Sequence, residues 1–137
     1  MTCAPRPSPA LVEALNAARA AHGLGALRVH PALEAAASAH AADLLSNGAF
    51  DHAGSDGSLP LARVQRAGLN PRMAAENLSM GRTEAAAVVE GWQSSEGHRA
   101  NTLSEATLIG TAWARYGRLG LVSDELELWV AVFAAEV

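Results

Sequence analysis

No lysine occurs among the 137 residues, and all ten basic side chains are arginine. Schiff-base chemistry, the phosphate-loop lysine and serine–lysine catalysis are excluded with it. A single cysteine, Cys3, rules out an internal disulfide and any cysteine-rich zinc or iron–sulfur centre. Aromatic residues make up only 4%, which implies an alanine-rich core. The longest uncharged apolar run, Leu128 to Ala135, is less than half of the about 20 residues that a transmembrane span needs. A net charge of -4 with scattered arginines lacks the positive field of a nucleic-acid binder. Also missing are His-Glu-x-x-His, Gly-x-Ser-x-Gly, Gly-x-Gly-x-x-Gly and a twelve-residue calcium loop.

What remains is a chain that is half hydrophobic and 18% charged, the composition and length of one globular domain. Three prolines by position 9 read as a flexible tether over residues 1–8, leading into a single domain over 9–137. Two readings of Cys3 stand. It is either a lipid-anchor cysteine, exposed once a secretion signal has been removed, or a chance thiol in a tail.

Ser8 before Pro9 is a helix entry, and Leu11, Leu15, Ala18 and His22 form one stripe ahead of Gly23. A short extended piece, Leu27 to Val29, precedes a second helix from Pro31 to Asn47–Gly48, with Leu33, Ala37, His40/Ala41 and Leu44 facing inward. The glycine- and aspartate-bearing stretch Asp51 to Ser58 is loop. Ser58 caps a third helix, Leu59 to Ala67, and Thr83 a fourth, which ends near Ser94–Ser95. Glu76-Asn77-Leu78 reads as extended. Ile109 to Tyr116 and Leu126 to Ala134 read as an antiparallel pair joined through Gly117, Gly120 and Asp124. In the second of these, Trp129, Ala131 and Phe133 alternate with Val130, Val132 and Ala134, so both faces are apolar and both need cover. The expected fold class is therefore α+β, a three-layer α-β-α sandwich with a central antiparallel sheet.

Five histidines carry most of the available chemistry. His22 and His40 sit on apolar helical stripes and His30 at a helix start, which suits core or capping roles. His52 and His98 differ, because each follows a helix and lies beside glycine, in Phe50-Asp51-His52-Ala53-Gly54 and Ser95-Glu96-Gly97-His98-Arg99. Asp51 and Asp56 suit turns better than a calcium site. Trp92, Trp113 and Trp129 suit sheet-to-helix packing, with Trp113 also placed to line a cleft. Asn77-Leu78-Ser79 matches a glycosylation acceptor, a pattern common by chance, and no glycan is assigned.

The fragments Gly48-Ala49-Phe50-Asp51-His52, Gly54-Ser55-Asp56-Gly57, Ala75-Glu76-Asn77-Leu78, Trp92 to Asn101 and Trp129 to Phe133, taken in order, resemble the bacterial branch of the CAP superfamily. That superfamily, also called the SCP domain, takes in cysteine-rich secretory proteins, insect antigen 5 and plant pathogenesis-related protein 1. The resemblance covers about residues 9 to 135. It implies the same α-β-α sandwich, a secreted or envelope-anchored location, and a cleft with two histidines and two glutamates. His52, Glu76 and His98 match three of those four positions. The fourth glutamate falls where this chain has Ser95, and Glu96 comes one residue later, about 100° around a helix. Ala75 and Ala112 also replace glycines that are usual in the family.

By that resemblance a divalent cation, zinc or another, is expected on His52 and His98, weakly held, beside a small hydrophobic, lipid or peptide ligand. Three functions follow from the cleft tetrad His52, Glu76, Glu96 and His98. A binding module is favoured over a metal-dependent hydrolase with Glu76 as general base. The third is a structural domain in which the polar cleft only stabilises the fold.

Overall fold

The structure, a computed structural model, describes residues 4–116 and 126–136. Cys3 and the connection through Gly117, Gly120 and Asp124 lie outside those residues. Five helices and four strands follow in the order α1 (Pro9–Ala20), β1 (Arg28–Val29), α2 (Pro31–Asn47), α3 (Pro60–Arg66), β2 (Met73–Met80), α4 (Ala85–Gln93), α5 (Glu96–Thr102), β3 (Leu108–Tyr116) and β4 (Leu126–Ala135).

Local chemistry sets the helix ends. The Ser8 hydroxyl accepts from Leu11 N at 3.1 Å, and His30 Nδ1 accepts from Ala32 N at 3.0 Å, so His30 is a capping histidine. Each helix then begins on a proline, which is tolerated where no amide donor is needed. Gly48, at φ 59°, closes α2 in the left-handed conformation. Ser58 does not cap α3. Leu59 stands at that N-cap without a side-chain bond, and the Ser58 carbonyl is taken by Arg63 instead.

The strands lie in the order β1-β3-β4-β2. β3–β4 is antiparallel, as expected for that pair, and β4–β2 is antiparallel too, but β1 joins β3 in parallel, so the sheet is mixed and not wholly antiparallel. Two residues are too few to carry a pattern that would have revealed that direction.

Leu128, Val130, Val132 and Ala134 pack with Leu33, Ala37, Ala41, Leu44 and Val64 beneath α2 and α3. Trp129, Ala131 and Phe133 pack on the other face with Leu11, Leu15, Val88, Val89 and Trp92 of α1 and α4. The three-layer sandwich and the two-sided burial of β4 are thus as the sequence implied. Each fully buried large aliphatic or aromatic side chain contributes about 1.5–3 kcal/mol. α2 lies so close to β3 that a Cβ on Gly110 would fall 2.1 Å from the Leu33 carbonyl carbon.

α1 buries Leu11, Leu15 and Arg19, whereas His22 lies exposed in the turn beyond its end, its Nδ1 3.0 Å from Ala18 O. Arg19 donates to the carbonyls of Gly25, Thr102, Ser104 and Ala106 at 2.8 to 3.2 Å. It thereby fastens the C-terminal end of α5 to α1. Arg6 in the proline-bearing lead bridges to Trp113 of β3, and its guanidinium lies over that indole at 5.8 Å.

Candidate functional site

Glu76 and Asn77 are consecutive in β2 and therefore point to opposite faces of the sheet. Glu76 faces α2 and α3. Its side chain is 0% exposed, and both oxygens are engaged: Oε1 accepts from His52 Nδ1 at 2.9 Å and Oε2 from Arg63 Nη2 at 2.9 Å. His40 Nε2 lies 3.6 Å from Oε1 and donates to Asp51 O at 2.7 Å. Arg63 also donates to His52 O at 2.9 Å and Ser58 O at 2.6 Å. Asp51 and Asp56 make the tight turns expected of them, accepting from Ala53 N and Ser58 N. One buried carboxylate and one buried guanidinium thus tie α2, α3 and the 51–58 loop to the sheet, and His52 is the half-exposed member of the group.

Asn77 faces the other layer. It is fully buried and donates to His98 O at 3.1 Å and Thr102 Oγ1 at 3.2 Å, while its own oxygen accepts from Asn101 Nδ2 at 2.9 Å. A glycan on Asn77 is incompatible with that burial. His98 belongs to α5, a helix that the sequence reading, which placed His98 after the fourth helix and beside glycine, did not assign. Seven residues with a glycine near the start gave no apolar stripe to find.

His52 is thus held from one face of β2 by Glu76, and the segment that carries His98 is held from the other by Asn77, with His98 bordering the groove beside Leu78 to Met80. The pKa of His98 is lowered, chiefly by burial and further by the His52 charge. His52 itself is pushed above the usual imidazole value, chiefly by its hydrogen bond to Glu76. That bond places the proton on Nδ1 and leaves the Nε2 lone pair free.

Beside His98 runs a groove of about 300 Å³, bordered by Phe50, Leu78, Met80, Arg82, Trp92 and Ser95. A larger cavity of about 370 Å³ lies behind the loop between α2 and α3. Its acidic side chains are already paired, Asp43 with Ser55 and Asp56 with Arg66, while His40 Nδ1 and Arg63 Nε, on two other residues that border it, are buried without a hydrogen-bond partner.

Residues 12–133 match the family described as CAP, the cysteine-rich secretory protein family. The chain belongs to the CAP family. It is 32% identical over 110 residues to the uncharacterized protein YkwD of Bacillus subtilis, covering 80% of this chain and 43% of that one. It is 30% identical over 101 residues to the uncharacterized membrane protein YlbC of the same organism, covering 73% and 29%. The chain thus spans less than half the length of either relative. Among solved structures it resembles an outer surface protein of Borrelia burgdorferi (TM-score 0.78, 23% identity, 93% of this chain and 90% of that one). It also resembles an extracellular protein containing an SCP domain from Bacillus anthracis (TM-score 0.76, 27% identity, 92% and 39%).

Of the CAP tetrad, His52 and Glu76 are hydrogen-bonded to each other, and His98 borders the groove beside Leu78 to Met80. α4 ends at Gln93, ahead of the family's fourth glutamate position, and α5 begins with Glu96, whose side chain is exposed and makes no hydrogen bond or ion pair among the described residues. Ser95 is the residue that borders the groove beside His98. No group of three or more His, Cys, Asp or Glu side chains is placed for a metal ion among the described residues. Arg99, beside His98, is exposed and makes no ion pair among the described residues.

Arg63 is the site residue that sequence reasoning missed. On a seven-residue helix with Arg66 one turn on, it carries no mark that separates it from a solvated arginine.

Proposed function

We propose that this CAP domain is the ligand-binding part of a bacterial extracellular or cell-surface protein, with the groove along β2 as its ligand site. The observation that carries this reading is the complete use of Glu76. A carboxylate whose side chain is fully buried, ion-paired to Arg63 and bonded to His52 acts as a fixed support and is shielded from the solvent water that a general base would activate. A hydrolase with Glu76 as general base is disfavoured on the same ground. The location is supported by relatives described as an outer surface protein and as an extracellular protein. Among the described residues no helix is long and apolar enough to cross a membrane.

His52 Nε2 and His98 form the polar head of the site. Together they can hold a divalent ion weakly, with the remaining positions left to solvent or ligand. Calorimetric titration of the metal-free protein with zinc tests this head. Weak binding that is lost in both His52→Ala and His98→Ala supports it, and binding that persists in both removes it. Incubation with peptide and ester libraries in the presence of zinc tests the choice of class. Turnover abolished by Glu76→Gln would replace the binding reading with the hydrolase.

A further inference from the structure

We propose that the groove receives an extended peptide as a strand added to the edge of β2, with Arg82 holding a carboxylate of that peptide. The inference rests on the reading of this groove as the ligand site and names the class of ligand.

β2 is the last strand of the sheet. Gly81 N donates to Glu127 O at 3.0 Å, and the register continues through Met80↔Leu128 and Leu78↔Val130. Antiparallel pairs alternate between bonded and non-bonded residues. The backbone groups of Asn77 and Ser79 therefore point to β4, and those of Glu76, Leu78 and Met80 point out of the sheet. Two of the outward carbonyls are closed by side chains: Asn101 Nδ2 donates to Glu76 O at 3.3 Å and Trp92 Nε1 to Leu78 O at 2.9 Å. The Leu78 N–H, on a residue that is itself buried, and both groups of the half-buried Met80 receive no such partner among the described residues. The same segment, Leu78 to Met80, forms one wall of the groove.

Exposed strand edges are ordinarily blunted, and this one is blunted only as far as the groove. Opposite stands Phe50, which is 48% exposed, an unusual position for a ring in a chain with so few. On the α4 side Gly91 leaves room for Arg82, since a Cβ there would lie 3.1 Å from Arg82 Nε. Arg82 is exposed and makes no ion pair among the described residues. The groove thus offers the unpartnered backbone groups of the half-buried Met80, the exposed Phe50 ring and an unpaired cation along its walls. An extended peptide satisfies all three at once, whereas a hydrocarbon tail would cover the backbone groups without bonding them.

The test is titration of the isotope-labelled chain, without metal, with a soluble pentapeptide of alternating threonine and valine that ends in a free carboxylate. The Leu78 and Met80 amides are expected to shift and to exchange more slowly with solvent. N-methylation of the peptide amides on the pairing edge should weaken binding by tenfold or more, about the value of one good hydrogen bond. A peptide amidated at its C-terminus, or the Arg82→Gln chain with unchanged circular dichroism, should lose about tenfold through the missing charge-assisted contact. Binding that is indifferent to N-methylation overturns the proposal. Should laurate or zinc shift residues of the site while the peptide does not, strand addition fails and the binding reading survives. If peptide, laurate and zinc all leave the groove residues unmoved, both fail.

Discussion

Glu76 and Asn77 adjoin in β2, yet each secures a different histidine-bearing segment. Glu76 holds the His52 ring by a 2.9 Å bond on one face of the sheet, and Asn77 holds the His98 carbonyl at 3.1 Å on the other. The alternation of a strand is what lets neighbouring residues anchor the two histidine-bearing segments from opposite layers.

Glu76→Gln removes the one carboxylate that pairs with Arg63 among the described residues, and Arg63 is only 6% exposed. A charge left unpaired in that position costs about 3–5 kcal/mol. Urea denaturation should show a loss of that size, and the His52 pKa, followed by NMR, should fall toward the usual imidazole value.

Asn77→Ala leaves the buried Thr102 hydroxyl and the Asn101 amide each short of a partner. A loss of about 1–3 kcal/mol is expected in the same denaturation experiment. Protection of α5 amides from hydrogen exchange should fall more than that of α2.

Gly110→Ala tests the packing of α2 on β3. Its new methyl would meet backbone at 2.1 to 2.2 Å, where no flexible side chain can yield. The helix must move, so the melting temperature should drop, with a cost of about 1–3 kcal/mol.

The two cleft imidazoles make opposite contributions to stability against pH. His52, raised by Glu76, binds its proton more tightly in the folded chain. Its contribution is complete below the unfolded value of about 6.5 and is lost as pH climbs through the folded value. His98, lowered by burial and by His52, is favoured neutral. Its contribution is present above about 6.5 and is lost as pH falls through its folded value. Denaturation of His52→Ala between pH 5 and 8 should therefore show stability rising more steeply with pH than in the parent chain. An unchanged slope would mean that the His52–Glu76 bond has no effect on proton binding.

Much of the sandwich was readable because its signals are long and periodic. The two-sided alternation of Leu128 to Ala135 demanded cover above and below. The stripe through Leu33, Ala37, Ala41 and Leu44 gave α2 with its ends, since Pro31 and Gly48 punctuate it. His52, Glu76 and His98 were legible only as parts of a family pattern, because nothing in their spacing reveals that β2 anchors both histidine-bearing segments. Arg63 and Arg19 were invisible for a physical reason. Each is buried by hydrogen bonds to carbonyls or to a distant carboxylate, and such partners leave no periodic trace. α5 escaped for want of length, and β1 for want of residues enough to set its direction.

The measurement that bears most directly on a shared cleft is the NMR titration of His98 in the parent chain and in His52→Ala. Because the His52 charge helps to lower the His98 pKa, its removal should move that pKa upward while the fold is retained. A His98 titration that is identical in the two proteins would place the rings out of each other's reach and contradict the site described above.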